Sequence, residues 1–279
     1  MADFVSFSKR GLVCVAGPDA VTLLNGLLTQ NVEAAGPEAC VYAAMLTPQG
    51  KFLFELFILA PEAGTYWIDV SDPAAFAKRL SLYRLRSKVT IEDKSAGYVV
   101  GAVWNGESLP KSALSYPDPR HANLARRFIA PRAELNLGDE AAAFATYEHE
   151  RFGLGVPDLA ADLLVEKDFI LEGLMDEMGG VDFHKGCYVG QEMTSRMKRR
   201  TTVKTKLCRI GFDGPTPAFE TPILADGWEV GRMRSAGEGV GLALIRFDRA
   251  HKALAEGHAL QAGDQVIRLD PPSWMHVPA

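Results

Sequence analysis

The chain has 279 residues, 47% of them hydrophobic and 23% charged, with a formal net charge of −5. That length allows two or three domains and a sizeable core, and the absence of any long run of one sign excludes a generic nucleic-acid-binding face. The longest apolar run, Phe52 to Ala60, falls short of the roughly 20 residues a membrane span needs and contains Glu55, so no membrane partner is expected. The N-terminal stretch has neither the charged-then-apolar order of a secretory leader nor an arginine- and serine-rich transit pattern. The four cysteines, Cys14, Cys40, Cys187 and Cys208, are far apart, form no CxxC pair and are expected to stay reduced. Together these features predict a cytoplasmic protein.

In chain order, GLVCVAG (Gly11 to Gly17) reads as a strand, and Pro18 opens a helix with the apolar face Val21, Leu24, Leu27 and Leu28. The runs CVYAAMLT and KFLFELFILA flank Pro48-Gln49-Gly50 and predict a hairpin. YWIDV is a strand, Asp72-Pro73 starts a helix through LSLYRLR, and SKVTIED returns as a strand, giving an α+β block over 1–94. YVVGAVW opens a second block over 95–200. It holds a short strand at RFIAPR, a helix at EAAAFATYEHERFGL, and a further helix at VEKDFILEGLMDEMGG ending at Gly179-Gly180. From 201 to 279, TTVKTKLCRIGF, WEVGRMRS, GVGLALIRF and QVIRL predict a small β-barrel or sandwich. Tyr83, Trp67 and Trp228 are expected in core or domain contacts, and Cys14 and Cys208 lie in apolar runs where a thiol is inert.

The segment KGCYVGQE, Lys185 to Glu192, departs from this texture by placing a thiol in polar, glycine-rich company. Gly180, Gly186 and Gly190 permit positive φ and close backbone approach, so Cys187 is expected on a tight turn just before a helix over 191–200. Glu192 suits the first turn of that helix and Lys198, Arg199 and Arg200 the last, while Glu192 and Arg196 are spaced to pair. A thiol beside Lys185 and a helix start is predisposed to ionise. A thiolate can be a nucleophile, a soft metal ligand or a redox group, and the residues alone leave these open. His184 makes an HxxC pair with Cys187, but a stable metal site needs further ligands, and none of the six histidines carries a signature marking it as the base of a Cys-His hydrolase. Lys198, Arg199, Arg200, Lys204 and Lys206 read first as a solvated face and second as an attractor for an anionic tail.

KGCYVGQEMTSR resembles the K-G-C-[FY]-x-G-Q-E-x-x-x-R signature of the YgfZ family, folate-binding proteins that support iron–sulfur enzymes and share their fold with the glycine-cleavage T-protein, an aminomethyltransferase. The likeness covers most of the chain, through GPDAVTLLNGLLTQNV, LTPQGKFLFELFIL, LSLYRLRSKVTIED, RFGLGVPD and VGRMRSAGEGVGLALIR. It implies an α+β, T-protein-like architecture: two α+β blocks around a central channel plus a small C-terminal β-barrel, with the initial strand able to pack in the second block. It implies tetrahydrofolate or another folate as cofactor and iron–sulfur client or assembly proteins as partners. It further implies Cys187 as reactive centre, Lys185 holding its thiolate, and Tyr188, Gln191, Glu192 and Arg196 as folate-binding residues, with no metal site. T-proteins differ in lacking the cysteine motif. They carry an aspartate where this chain has Phe54-Glu55 and a pterin-anchoring glutamate where it has Gly153. A folate-dependent aminomethyltransferase is therefore the second functional reading and a non-catalytic partner-binding scaffold the third. Whether the chain is an enzyme stays open at this point.

Overall fold

A computed structural model describes residues 3–138, 140–200 and 203–278; the expected start of the C-terminal block at 201 lies outside them, as do Met1 and Ala2 of the N-terminal stretch. The elements run β1 (Phe4–Ser6), β2 (Arg10–Ala16), α1 (Ala20–Leu27), β3 (Val41–Leu46), β4 (Phe52–Glu62), β5 (Thr65–Ser71), α2 (Pro73–Arg84) and β6 (Thr90–Asp93). They continue as β7 (Tyr98–Val103), β8 (Leu114–Tyr116), β9 (Arg126–Pro131), α3 (Ala141–Leu154), α4 (Leu159–Asp162) and α5 (Gln191–Arg200). The chain closes with β10 (Thr205–Phe212), β11 (Pro222–Ala225), β12 (Trp228–Ala236), β13 (Val240–Arg246), α6 (Phe247–Ala255), β14 (Leu260–Ala262) and β15 (Gln265–Leu269).

Three sheets result, all antiparallel. The first has order β3-β4-β5-β2-β6, the second β1-β7-β9-β8, and the third is a closed barrel, β10-β13-β12-β11-β14-β15. The initial strand crosses to the second sheet, with Val5 opposite Ala102. Closure leaves the barrel without a free edge, and Ile210, Phe212, Ile223, Val230, Ile245 and Ile267 fill it. β3 shows how the first sheet is covered on both faces. Its alternate residues Ala43 and Met45 enter one core with Leu24, Leu28, Ile58 and Phe76, while Tyr42, Ala44 and Leu46 enter the core shared with the barrel. This explains why the strand sequence is an unbroken apolar run rather than an alternating one.

The helix expected over VEKDFILEGLMDEMGG is not an α-helix. Residues 164–180 form successive turns, with positive φ at Glu166 (61°) and Leu174 (62°). The cause is tertiary: between its internal turns, backbone groups of the segment bond to distant strands. Phe52 N–H donates to Asp168 O at 3.0 Å, Glu166 N–H to Phe52 O at 2.8 Å, and Leu207 N–H to Glu172 O at 2.7 Å. Trp228 is likewise not a core residue, being 74% exposed on the barrel. Tyr83 is only half-buried, packed against the first core on one side and lining a cleft on the other.

Candidate functional site

The turn before α5 is held by the segment between α1 and β3. The buried Thr29 hydroxyl donates to Gly180 O at 2.7 Å and accepts from Ala44 N–H at 2.8 Å. Asp182 N–H donates to Thr29 O at 2.9 Å, and Gln30 Nε2 to Gly179 O at 2.7 Å. Asp182 then folds the next residues back, its Oδ1 accepting from His184 N–H at 2.7 Å and Lys185 N–H at 3.1 Å.

The Lys185 ammonium is half-buried and donates to Leu28 O (2.9 Å), Gln30 O (2.8 Å) and Asn25 Oδ1 (3.3 Å). Burial pushes its pKa down to about 8, against the pull of Asp182. The three acceptors use all three ammonium protons, so Lys185 ties the turn to the end of α1 rather than reaching the thiol. Cys187 is exposed, and its thiol makes no hydrogen bond among the described residues. The other three thiols are not exposed: burial raises Cys14, lifts Cys208 to about 12 and shuts Cys40 off as a thiolate.

Behind Cys187 two glycines meet. Gly190 (φ 86°) lies against the hairpin turn so closely that a Cβ there would be 2.7 Å from Thr47 O; a Cβ on Gly50 (φ 78°) would be 2.9 Å from Met193 Cβ and 3.2 Å from Gly190 O. The hairpin turn between β3 and β4 is thus the backstop of the Cys187 turn. Thr29, Gln30 and Asn25, and the contact of the hairpin's Gly50 with Gly190, are the supporting features that sequence reasoning passed over. For Thr29 and Gln30 the signal was a polar Thr-Gln-Asn step directly after an apolar helix face.

Beside the turn lies a cleft of about 840 Å³, walled by Tyr83, Phe183 and Tyr188 and edged by Gln191, Glu192, Lys198 and Arg199. Tyr188 is buried, with its hydroxyl beside Thr194, whose own hydroxyl donates to Gly190 O at 3.3 Å. Of the expected folate-binding residues the structure brings Tyr188, Gln191 and Glu192 together here. Arg196 is exposed on α5, outside the cleft lining, and forms no ion pair with Glu192 among the described residues. Aromatic walls, an amide and two cations fit a flat ring system with an acidic tail.

The positions where the three sheets converge carry charge of a different kind. Arg10 pairs with Asp69 at 2.6 Å and Glu55 at 2.9 Å. Arg120 pairs with Asp118 at 2.7 Å, and Arg127 with Asp69 and, at 3.5 Å, Asp118. The three guanidiniums surround the Phe57 ring, at 4.9, 4.9 and 3.7 Å from its centroid. Arg151 ties α3 to α4 and the barrel through Asp162 (2.9 Å) and Ser235 (3.0 Å). Side chains of this network are at most 6% exposed for Arg10, Glu55, Asp69, Asp118, Arg120 and Arg127. These groups are closed over rather than lining an open passage. Glu55, the carboxylate nearest the T-protein's catalytic aspartate by sequence, is held by Arg10 and the Tyr42 hydroxyl (2.8 Å). Gly153 is exposed, its carbonyl accepting from Arg209.

These features define a class: a T-protein-like α+β fold, finished by a six-stranded barrel, with an exposed thiol on a braced turn. Residues 198–277 match the CAF17 C-terminal beta-barrel domain. The glycine cleavage system aminomethyltransferase T from Bartonella henselae superposes with a TM-score of 0.72 over 99% of this chain and 86% of that one, at 12% identity, a likeness of fold. The mitochondrial iron-sulfur cluster assembly factor IBA57 homolog of Neurospora crassa is 31% identical over 98% of this chain and 67% of its own length. The Mus musculus and Homo sapiens IBA57 proteins are 30% and 29% identical, each over 95% of this chain and 83% of their own length. The chain belongs to the IBA57 family of iron–sulfur cluster assembly factors.

These relatives are named as mitochondrial proteins, which overturns the cytoplasmic expectation. That expectation rested on the lack of a membrane span and of a recognisable leader or transit pattern, compositional signals that the relatives' names outweigh.

Proposed function

We propose that this protein supports assembly or repair of iron–sulfur clusters in client enzymes, with Cys187 as its reactive centre and a tetrahydrofolate held in the adjacent cleft. The observation that carries the reading is the exposed Cys187 thiol on a turn held from behind through Lys185, Thr29 and Gly190. A fixed backbone under a free thiol suits a group that must meet another protein's cluster, since a thiolate is both a nucleophile and a soft ligand for iron. Tyr188 and Gln191 would hold the pterin and Lys198 or Arg199 the glutamyl carboxylates. A bound tetrahydrofolate supplies a reduced pterin. Lys185 acts as a positioning residue for the turn. The division 1–94, 95–200 and 201–279 serves this arrangement, the second block presenting the motif.

The test is Cys187→Ala in cells lacking their own copy. Iron–sulfur enzyme activities are expected to fall to the level of the empty strain while the variant protein accumulates normally; full rescue removes the thiol from the mechanism. For the folate, titration with tetrahydrofolate is expected to saturate in the unaltered protein and weaken in Gln191→Ala. The aminomethyltransferase reading is less well supported, because Glu55 is locked between Arg10 and Tyr42. Methylene-tetrahydrofolate formed from a methylamine-loaded carrier protein would revive it.

A further inference from the structure

Around Tyr83, α2 ends in side chains that the fold does not use. Leu82 and Leu85 are 64% and 86% exposed. Leu85 also stands at φ 45°, in the left-handed region that disfavours a leucine, so an unfavourable backbone presents an apolar side chain to water. Arg84, Arg86 and Lys88 flank it and are exposed, and the one carboxylate in the same depression, Asp19, accepts from Lys88 N–H at 2.7 Å. On α5, which lends Arg199 to the cleft, Arg196, Arg199 and Arg200 are exposed as well. Lys198 pairs with Asp176 at 2.7 Å, whereas none of these six cations forms an ion pair with a described residue. Such a concentration of unpaired positive charge is unexpected in a chain of net charge −5. A single exposed leucine needs no explanation; two at a strained helix end, set among free guanidiniums, do.

We infer that the end of α2 and the exposed face of α5, which reach the cleft through Tyr83 and Arg199, form a docking surface for an acidic segment of a partner protein that also carries leucine or phenylalanine. The identity of that partner as an iron–sulfur protein rests on the function proposed above; the docking chemistry does not. Guanidiniums give bidentate recognition of carboxylates, and the charge steers encounter. The leucines supply the apolar anchor around which an interface desolvates. A glutamyl tail of a small molecule shares the carboxylates but has nothing for Leu82 and Leu85 to grip.

A random peptide library selected on the full chain, with counter-selection on Leu85→Ser/Arg86→Glu/Arg200→Glu, tests this directly. Circular dichroism checks the variant's fold, and Leu85→Ser alone is the milder control. Recovered peptides are expected to be acidic with leucine or phenylalanine, to bind the unaltered protein at least about tenfold more tightly than the triple variant, and to release as salt rises. Neutral or basic peptides, or none that discriminates the two proteins, would overturn the docking surface. Polyglutamate binding as tightly as the selected peptides would reassign the surface to a small anionic tail. Peptide binding is expected to survive Cys187→Ala, so failure of the thiol's role and failure of docking give separate readouts.

Discussion

Two regions of this molecule concentrate charge, and they use it in opposite ways. Where the sheets converge, Arg10, Arg120 and Arg127 are buried, and each is matched by Asp69, Glu55 or Asp118. At the cleft and beside it, Arg84, Arg86, Arg199 and Arg200 are exposed, and the exposed Cys187 stands in front of a backbone held through Thr29, Lys185 and Gly190. Buried charge is tolerated only when paired and hydrogen-bonded, so the central network speaks of how the units are joined. Exposed charge without an internal partner contributes little to folding, so the cleft rims speak of what the protein meets.

The comparison can be broken most sharply at its centre. Arg127→Ala removes the partner of two buried carboxylates and is expected to cost about 3–5 kcal/mol, read as a lower urea midpoint; an unchanged midpoint would mean the network does not hold the units together. Next in size is Gly190→Ala. It places a Cβ 2.7 Å from Thr47 O at a positive φ and is expected to cost about 1–3 kcal/mol. It should also alter the rate at which a thiol reagent labels Cys187. Normal labelling with lost stability would separate the backstop from the thiol's presentation.

Lys185→Met leaves Leu28 O and Gln30 O without their donor, an expected loss of about 1–3 kcal/mol. Its pH dependence has a definite sign. Burial holds Lys185 at about 8 in the folded chain, below a free lysine's ~10.4. Between those values the unfolded chain binds more protons, so this group's contribution rises with pH across the window and is lost as pH falls through 8. The melting temperature of the unaltered protein should therefore gain on that of Lys185→Met between pH 8 and pH 10; parallel curves would show that Lys185 is not held in this way. Smallest of all, Cys187→Ala and Arg196→Ala alter exposed side chains and should leave stability within about 0.5 kcal/mol, measured by the same melts. A larger loss would make either residue structural.

Much of the local structure was legible from composition and spacing. The hairpin around Pro48 to Gly50, the helix over Gln191–Arg200 and the strand-rich C-terminal block all follow from apolar runs bounded by turn residues. The motif was legible because a cysteine among glycines and charges violates the pattern of a buried thiol. The helix expected at VEKDFILEGLMDEMGG failed because its apolar spacing describes burial, whereas the backbone partners that decide its conformation, Phe52 and Leu207, lie far away in sequence. Trp228 was misplaced for a related reason, since strand alternation does not say which face of a barrel strand meets solvent.

What the amino-acid order determined by itself is therefore local: where the chain turns, which stretches bury, and that the thiol of Cys187 sits on a glycine-bounded turn before a helix. The tertiary structure decided the rest. It carried β1 into the second sheet and brought Arg10, Asp69, Asp118 and Arg127 into one buried network. It also turned Lys185 away from the thiol and onto the carbonyls of α1's end. The physical reason is common to all three: a charge or a strand edge is satisfied by whatever partner the folded chain places within about 3 Å, and sequence separation carries no information about that distance.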